Sequence, residues 1–289
     1  MYQSMAEIAS ICEMNKISFW ECVQREDCIE QAMSPEENFE KMKQMYRAMR
    51  AADYAYDPNQ MSRSGLSGRD GAKIAAARQQ GKLLCGDFIG RVMERAVKMG
   101  ESNACMKRIV AAPTAGSCGV LPAVLLSLQE EKGYSDDEMT RALYVAAGIG
   151  GVIASRAFLA GASGGCQAEI GSASSIAAGA AAYLCSGSVM TISHAAALAM
   201  KNLLGLACDP VAGLVEVPCV KRNVIGAVNA LTSADLACAG VESRIPADEV
   251  FDAMRAIGRS LPENIRETGL GGLAGTPTGV SLRERLEKL

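Results

Sequence analysis

The sequence predicts a mainly α protein, a compact multi-helix domain with Gly-rich loops around a metal or substrate site. Apolar residues recur at helical spacing in the first half of the chain, where two Ser-x-x-Glu capping boxes mark the starts of helices. No run of residues has the alternating pattern of a strand, and strands do not alternate with helices. No segment repeats at a fixed period either. The pattern therefore favours helices that pack on one another.

The N-terminal part of the chain is predicted to be helical over residues 1–33. Ser34-Pro35-Glu36-Glu37 is a capping box with Pro at the first helical position, and it predicts a helix that ends near Tyr56. One face of that helix carries Phe39, Met42, Met45, Tyr46 and Met49. The Ser-, Gly- and Asp-rich loop over 57–71 predicts a boundary between an N-terminal helical segment, 1–58, and the main domain, 59–289, within one continuous structural unit.

Further helices follow, separated by loops rich in Gly and Pro. A basic helix is predicted over 72–99 with a break near 81–86, and the capping box Ser135-Asp136-Asp137-Glu138 opens a helix toward Gly150. The Ala- and Gly-rich region 151–205 predicts two or three closely packed helices. Two more helices are predicted at 223–240 and 247–260. The predicted loops are 111–122, 206–222 and 269–279.

Composition excludes several classes of function. The net charge of −3 over 289 residues gives no basic footprint for nucleic acid. No basic start followed by an apolar run indicates export, so we expect a cytoplasmic protein in a reducing compartment. The uncharged stretch 171–194 consists mostly of Ala, Gly and Ser, and it predicts a helix buried in the protein rather than a membrane span. No membrane partner is expected.

Three of the eleven cysteines lie where Gly or Pro interrupts helical structure: Cys166, Cys208 and Cys219. Three thiolates could hold three irons of a [4Fe–4S] cluster, which would leave the fourth iron open to a substrate as a Lewis acid. Their spacing matches neither the compact run of a ferredoxin nor the paired cysteines of a zinc site. On spacing alone, buried structural cysteines remain the alternative.

Two Gly-rich loops offer backbone N–H groups and hydroxyls just before predicted helices. One runs from Ser64 to Lys73, and the other from Pro113 to Gly119. Such loops bind anions, including carboxylates. The alternative is that they are ordinary turns with helix caps.

Two further features favour ordinary structural roles. The residues 161–165 match the G-x-S-x-G pattern of a hydrolase nucleophile elbow, but the preceding residues look helical and the pattern requires a strand there. His194, the only histidine, lies in an Ala-rich apolar stretch, so we expect a hydrogen-bonded core residue rather than a catalytic base.

Taken together, the segments resemble the α subunit of the iron–sulfur-dependent L-serine dehydratases. The resemblance is carried by 64–70, 112–119, 164–171 around Cys166, and the tail 271–279. Its most specific part is the run Cys208-Asp209-Pro210-Val211-Ala212-Gly213-Leu214-Val215-Glu216-Val217-Pro218-Cys219. These segments span about residues 60–280.

The resemblance implies a [4Fe–4S] cluster held by Cys166, Cys208 and Cys219, with no pyridoxal phosphate, in a catalytic α domain. It implies that the substrate, L-serine, is bound near the open iron by the two Gly-rich loops. The implied substrate-binding residues are Ser64, Ser67, Gly68, Asp70, Thr114, Gly116 and Ser117. It also implies a separate serine dehydratase β subunit, within a heterodimer or a higher oligomer.

The implied reaction is the deaminating dehydration of serine to pyruvate and ammonia. The base that removes the α-proton is either Lys73, if burial makes its amine neutral, or a group of the β subunit. Three rivals to this interpretation stay open: elimination of sulfide from L-cysteine, serine dehydration with pyridoxal phosphate as a different cofactor, and a non-catalytic helical scaffold or regulatory subunit.

Overall fold

The computed structural model describes residues 2–288, and this part of the chain is helical without a single strand. The mainly α fold is therefore confirmed. Its thirteen α-helices are α1 Met5–Asn15, α2 Phe19–Gln31, α3 Pro35–Tyr54, α4 Asp70–Gln79, α5 Gly86–Ala104, α6 Val120–Lys132, α7 Asp136–Arg156, α8 Gly161–Gly164, α9 Ser172–Ser186, α10 Val189–Lys201, α11 Cys219–Cys238, α12 Ala247–Ser260 and α13 Pro277–Leu286. A π-helical turn, Gln167–Gly171, leads into α9.

Both predicted capping boxes form. At the start of α3, Ser34 Oγ accepts the Glu37 N–H, and Glu37 Oε2 accepts the Ser34 N–H, both at 3.2 Å. Ser135 and Glu138 form the same two reciprocal hydrogen bonds at the start of α7. On α3, Tyr46 and Met49 are buried, whereas Met45 is 47% exposed, so the predicted apolar face was one residue too wide.

Several predicted boundaries were wrong by a few residues for identifiable reasons. Helix α7 runs past Gly150 to Arg156 because its glycines allow close helix packing: a Cβ on Gly148 would lie 2.5 Å from Val23 Cγ2 of α2. Helix α11 begins at Cys219, four residues earlier than predicted, directly after Pro218. In the tail, Thr276 caps α13 by accepting the Gly279 N–H at 3.1 Å. The break between α4 and α5 is where the glycines predicted it.

Helix α9 lies at the centre of the fold and packs against α6, α7, α10 and α11. It consists mostly of Ala, Gly and Ser, so neighbouring helices approach it closely. Two of its buried hydroxyls bond to backbone carbonyls of those neighbours: Ser174 to Gly226 at 2.8 Å, and Ser175 to Ala196 at 2.9 Å. No helix in the range 2–288 has the length and apolarity to cross a membrane. The uncharged stretch 171–194 contains the buried helix α9, as predicted, but a largely exposed connection around Gly187 separates α9 from the start of α10.

The N-terminal helices α2 and α3 pack on α7 of the main body. Their buried side chains, including Phe19 and Tyr46, belong to the same apolar core as residues of α7 and α9. The division at residue 58 stays a prediction.

Candidate functional site

Cys166 is positioned by a backbone conformation that requires glycine. The preceding residue, Gly165, has φ +77° and ψ −179°. A Cβ there would lie 2.9 Å from the Leu206 carbonyl oxygen and 2.5 Å from Leu261 Cδ1. That carbonyl accepts the Gln167 N–H at 3.1 Å. The chain therefore turns sharply at Gly165 and buries the thiol of Cys166.

Cys208 is fixed by the C-terminal tail. Its N–H donates to the Ile265 carbonyl at 2.9 Å, and its carbonyl accepts the Glu267 N–H at 2.7 Å. The next residue, Asp209, accepts the Leu273 N–H at 2.8 Å. A side chain on Gly272 would place its Cβ 2.5 Å from the Asp209 carboxylate, so the tail can approach this closely only with glycine there. The C-terminal tail, which is one of the segments that carry the family resemblance, thus fixes the position of the Cys208 loop.

Cys219 is the first residue of α11, and Asn223 connects that turn to the second Gly-rich loop. The buried Asn223 amide donates to the carbonyls of Gly116 and Cys219, at 2.9 and 3.0 Å. Its Oδ1 accepts the Gly119 N–H at 2.8 Å. One asparagine therefore holds the loop and the cysteine turn together.

The three predicted thiols converge in the structure. All three cysteines are buried, and the thiol of Cys208 hydrogen-bonds to Cys166. This bond, together with the nearby Arg222 guanidinium, holds the pKa of Cys166 below that of an ordinary thiol. The same bond raises the pKa of Cys208. Burial, reinforced by the charge of Cys166, raises the pKa of Cys219 to about 12. The first thiolate of the set therefore forms on Cys166.

Arg222 supplies positive charge next to these thiols. Its side chain is 13% exposed and pairs with Asp209 at 2.9 Å, and it donates to the Ala207 carbonyl at 2.7 Å. It also hydrogen-bonds to Cys166. Since Arg222 follows Cys219 by three residues on α11, one helical turn presents both a thiol and its counter-charge.

Two carboxylates adjoin the thiols. Glu169 Oε2 lies 4.0 Å from Cys208 Sγ, and Glu169 Oε1 accepts the Thr114 hydroxyl at 2.7 Å. Burial raises the pKa of Glu169, and the nearby charge of Glu267 raises it further. A Cβ on Gly161 would lie 2.7 Å from Cys208 Sγ, 3.0 Å from Glu169 Oε2 and 3.2 Å from Glu267 Oε2. The lack of a side chain at Gly161 therefore lets one thiol and two carboxylates approach its backbone closely.

The second Gly-rich loop lies against these carboxylates. The Cβ position of Gly116 is 3.1 Å from Glu169 Oε1, and the hydroxyls of Thr114 and Ser117 are 3.1 Å apart. The loop's own cysteine, Cys118, is fully buried, and its thiol lies 3.7 Å from the Met99 carbonyl. Thr114, Gly116 and Ser117 are thus near the predicted ligands, and Cys118 is a core residue.

The first Gly-rich loop cradles an anion of the chain itself. The buried Glu101 carboxylate accepts the N–H groups of Gly68, Asp70 and Gly71 at 2.9–3.2 Å. These backbone donors, which were expected to face substrate, are therefore occupied by a side chain of the protein. Ser64 is occupied as well, since its hydroxyl donates to Glu216 at 2.8 Å.

This loop is nevertheless tied to the Cys219 segment. Glu216, three residues before Cys219, accepts the Ser62 hydroxyl at 2.7 Å, and Asp70 pairs with Lys221 at 2.7 Å. The buried Ser67 hydroxyl has no hydrogen-bond partner within residues 2–288. The roles predicted for Ser64, Ser67, Gly68 and Asp70 in substrate binding stay predictions.

Lys73 does not have the surroundings that a neutral amine requires. Its side chain is 75% exposed and pairs with Asp70 at 2.7 Å. That hydrogen bond raises the pKa of Lys73. The desolvation expected of this lysine is absent, because it lies on the outer face of α4, where water and a carboxylate both favour the charged form.

The G-x-S-x-G segment at 161–165 and His194 both have ordinary structural roles in this fold. The G-x-S-x-G residues form the short helix α8, and no strand precedes them within the described chain. His194 is half-buried, and its Nδ1 accepts the Ser243 N–H at 3.2 Å. It is a hydrogen-bonded residue of α10, as predicted.

Sequence reasoning missed Glu169, Glu267, Arg222 and Asn223. Glu169 and Arg222 each lie three residues after a predicted ligand, Cys166 and Cys219, which is about one helical turn. Spacing from the cysteines could have indicated these two. Nothing local indicated Glu267, whose approach depends on the folding back of the tail.

The thiols fit a cluster better than a single ion. No group of three or more Cys, His, Asp or Glu side chains among residues 2–288 is arranged to hold one metal ion. A single ion needs its donors to meet at one point, whereas the thiolates of an iron–sulfur cluster bind different irons. Three buried cysteines with an adjacent arginine are a donor set of the type such clusters use.

An apolar cavity of about 260 Å³ lies elsewhere, between α2, α3 and α7. Val23, Asp27, Met42 and Tyr144 are among the residues that line it. It contains none of the predicted ligands. The chemistry of the thiols and carboxylates, rather than cavity size, therefore identifies the candidate site.

Comparison with known proteins gives consistent results. The family described as "Serine dehydratase alpha chain" matches residues 14–274. A probable L-serine dehydratase alpha chain of Bacillus subtilis is 43% identical over 286 residues, which cover 99% of this chain and 95% of the relative. Its counterpart in Latilactobacillus sakei is 54% identical over 200 residues, 69% of this chain and 96% of the relative. The L-serine dehydratase alpha chain of Peptoniphilus asaccharolyticus is 40% identical over 284 residues, 98% and 97% of the two chains.

Proposed function

The chain belongs to the serine dehydratase alpha chain family, and we propose that it is the cluster-bearing α chain of a two-chain L-serine ammonia-lyase. In this proposal, Cys166, Cys208 and Cys219 hold a [4Fe–4S] cluster, and the enzyme converts L-serine to pyruvate and ammonia. The proposal rests on one observation above all. Of eleven cysteines, the three in the family's motifs are buried together beside an arginine and two carboxylates.

The bound cluster would supply an iron without a protein ligand, whose Lewis acidity assists the departure of the β-hydroxyl of serine. The chain's own residues bind and orient the substrate around that point. The backbone N–H groups of the second Gly-rich loop offer hydrogen bonds to a carboxylate, and Thr114 orients Glu169 beside them. Arg222 balances thiolate charge, and Asn223 keeps the loop in register with Cys219.

The base that removes the α-proton is assigned to the β chain. On this chain Lys73 is charged and exposed, so by itself it cannot accept a proton at neutral pH. A β chain that covered the outer face of α4 would also bury Lys73. Burial favours the neutral amine, so Lys73 would then be the alternative base. The family description "alpha chain" supports a second chain, because such naming denotes one subunit of an assembly.

Iron and acid-labile sulfide analysis of the anaerobically purified complex tests the cluster. We expect about four irons and four sulfides per α chain, as a [4Fe–4S] cluster contains. The Cys208→Ser variant should lose most of this iron, because it removes a ligand. Cys118→Ser is the matched control, a buried cysteine of the neighbouring loop, and should keep its iron. Full iron in the Cys208→Ser protein would refute the ligand assignment.

Reconstitution tests the second chain. The isolated α chain should turn over serine slowly or not at all, and addition of the β chain should restore activity. High turnover by the α chain alone would exclude the two-chain proposal. Comparison of L-serine with L-cysteine as substrates separates dehydration from the sulfide elimination considered above.

A further inference from the structure

The two carboxylates beside the thiols, Glu169 and Glu267, are close to each other, and neither has a basic partner within residues 2–288. Glu169 and Glu267 both approach Gly161, with their Oε2 atoms 3.0 and 3.2 Å from the position that a Cβ would occupy there. Among the residues that the structure describes, no Lys or Arg forms an ion pair with either carboxylate. Arg222, the cation beside the thiols, is already paired with Asp209. Two acidic side chains therefore lie close together without an ion-pair partner among residues 2–288.

The backbone holds both carboxylates in place. Glu267 sits at φ +64°, a left-handed conformation, and its N–H donates to the Cys208 carbonyl at 2.7 Å. Glu169 lies in the π-helical turn, with one oxygen bonded to Thr114. Left-handed backbone at a non-glycine residue is uncommon and costs free energy, which indicates that the surroundings fix this position.

A second, independent observation indicates a ligand with a negative end. The backbone N–H groups of Ala115, Gly116 and Ser117 donate to no acceptor within residues 2–288, although Gly116 and Ser117 are buried. Buried N–H groups are nearly always paired, so an open set of them indicates an acceptor that binds there. Successive free N–H groups form a nest that suits a carboxylate. This nest adjoins Glu169, since the Cβ position of Gly116 is 3.1 Å from Glu169 Oε1.

We propose that Glu169 and Glu267 bind the α-ammonium group of the substrate, while the N–H groups of 115–117 bind its carboxylate. This assignment rests on the proposed function. It explains which class of substrate the site would select: amino acids would bind, and hydroxy acids that lack the ammonium group would bind poorly. A charge-assisted hydrogen bond contributes enough to raise affinity by about 10- to 100-fold. Removal of one carboxylate charge should therefore weaken amino-acid binding by about that factor.

The test uses the anaerobic holoenzyme with Glu169→Gln and Glu267→Gln, because glutamine keeps the shape and removes the charge. Glu263→Gln is the matched control, an exposed glutamate of the same tail segment. Binding is measured calorimetrically with L-alanine, which has the ammonium and carboxylate groups but no hydroxyl to eliminate. The inhibition constant of 3-hydroxypropanoate, a serine without its ammonium group, is measured alongside.

We expect a rise of about 10- to 100-fold in the Kd of L-alanine and in the KM of L-serine for both variants. The inhibition constant of 3-hydroxypropanoate and the iron content should change less than about twofold, and Glu263→Gln should match the parent. Equal losses of affinity for both compounds, or an unchanged Kd for L-alanine, would overturn the assignment. If the parent complex contains no iron and has no serine lyase activity, the proposed function itself fails. This outcome differs from a failure of the ammonium-binding assignment, in which the parent is active but the two variants bind L-alanine normally.

Discussion

Replacement of Gly165 by alanine should cause a large loss of stability. With φ +77° and ψ −179°, Gly165 occupies a region that is essentially restricted to glycine. An L residue forced into that region costs about 1–3 kcal/mol. The new Cβ would also lie 2.5 Å from Leu261 Cδ1 and 2.9 Å from the Leu206 carbonyl oxygen.

The two contacts differ in how readily they can relax. The Leu261 methyl is the end of a flexible side chain and can move aside. The Leu206 carbonyl is backbone that accepts the Gln167 N–H, so it can move only by breaking that bond. Overpacking of this kind costs about 1–3 kcal/mol. Together with the backbone strain, we expect the free energy of unfolding to fall by about 2–6 kcal/mol.

Urea unfolding of the α chain, followed by circular dichroism, measures this loss. The matched control is Gly187→Ala, since Gly187 also has a positive φ, +68°, and its Cβ position is 3.9 Å from the nearest atom. That control should lose only the strain of the left-handed region, about 1–2 kcal/mol. If Gly165→Ala unfolds at the same urea concentration as Gly187→Ala, the steric account of the Cys166 turn is wrong.

Three other perturbations test the supports of the site by urea unfolding. Asn223→Ala removes three hydrogen bonds and leaves the buried Gly119 N–H unpaired, so we expect a loss of about 2–3 kcal/mol. Glu101→Gln turns an acceptor of three backbone N–H groups into one with an opposing NH₂ group, which should destabilise the first Gly-rich loop by about 2–3 kcal/mol. The Arg50 guanidinium holds the pKa of Asp136 below its usual value, so this pair stabilises the fold above the ordinary Asp pKa, and its contribution is lost as the pH falls through the lowered value. Asp136→Asn should therefore cost about 1 kcal/mol at pH 7 and less near pH 2.

Each of these three predictions has an outcome that contradicts it. An Asn223→Ala protein as stable as its parent would mean that the second loop is held by other contacts. A Glu101→Gln protein of unchanged stability would mean that the three N–H groups do not depend on the carboxylate charge. An equal cost of Asp136→Asn at both pH values would mean that the Arg50 pair does not depend on the charge of the acid.

Local sequence predicted many of the helices, and the family resemblance singled out the candidate ligands. Capping boxes at Ser34 and Ser135 predicted two helix starts correctly, because reciprocal capping depends only on residues three apart. The Ala- and Ser-rich stretch predicted the buried helix α9 for the same local reason: small side chains permit close approach. The motifs around Cys166, Cys208 and Cys219 marked those three cysteines among eleven.

Tertiary structure decided what those residues contact, since these contacts join segments far apart in the chain. The first Gly-rich loop was expected to bind substrate, but folding places Glu101 under it and occupies its N–H groups. Lys73 could act as a base only if it were buried, and the packing of α4 on α5 leaves it in water. Glu267 approaches Glu169, which is distant in the chain, only because the tail pairs with the Cys208 backbone. Electrostatics and desolvation depend on distance in space, so a sequence can name the thiols of a site without revealing the carboxylates that the fold brings beside them.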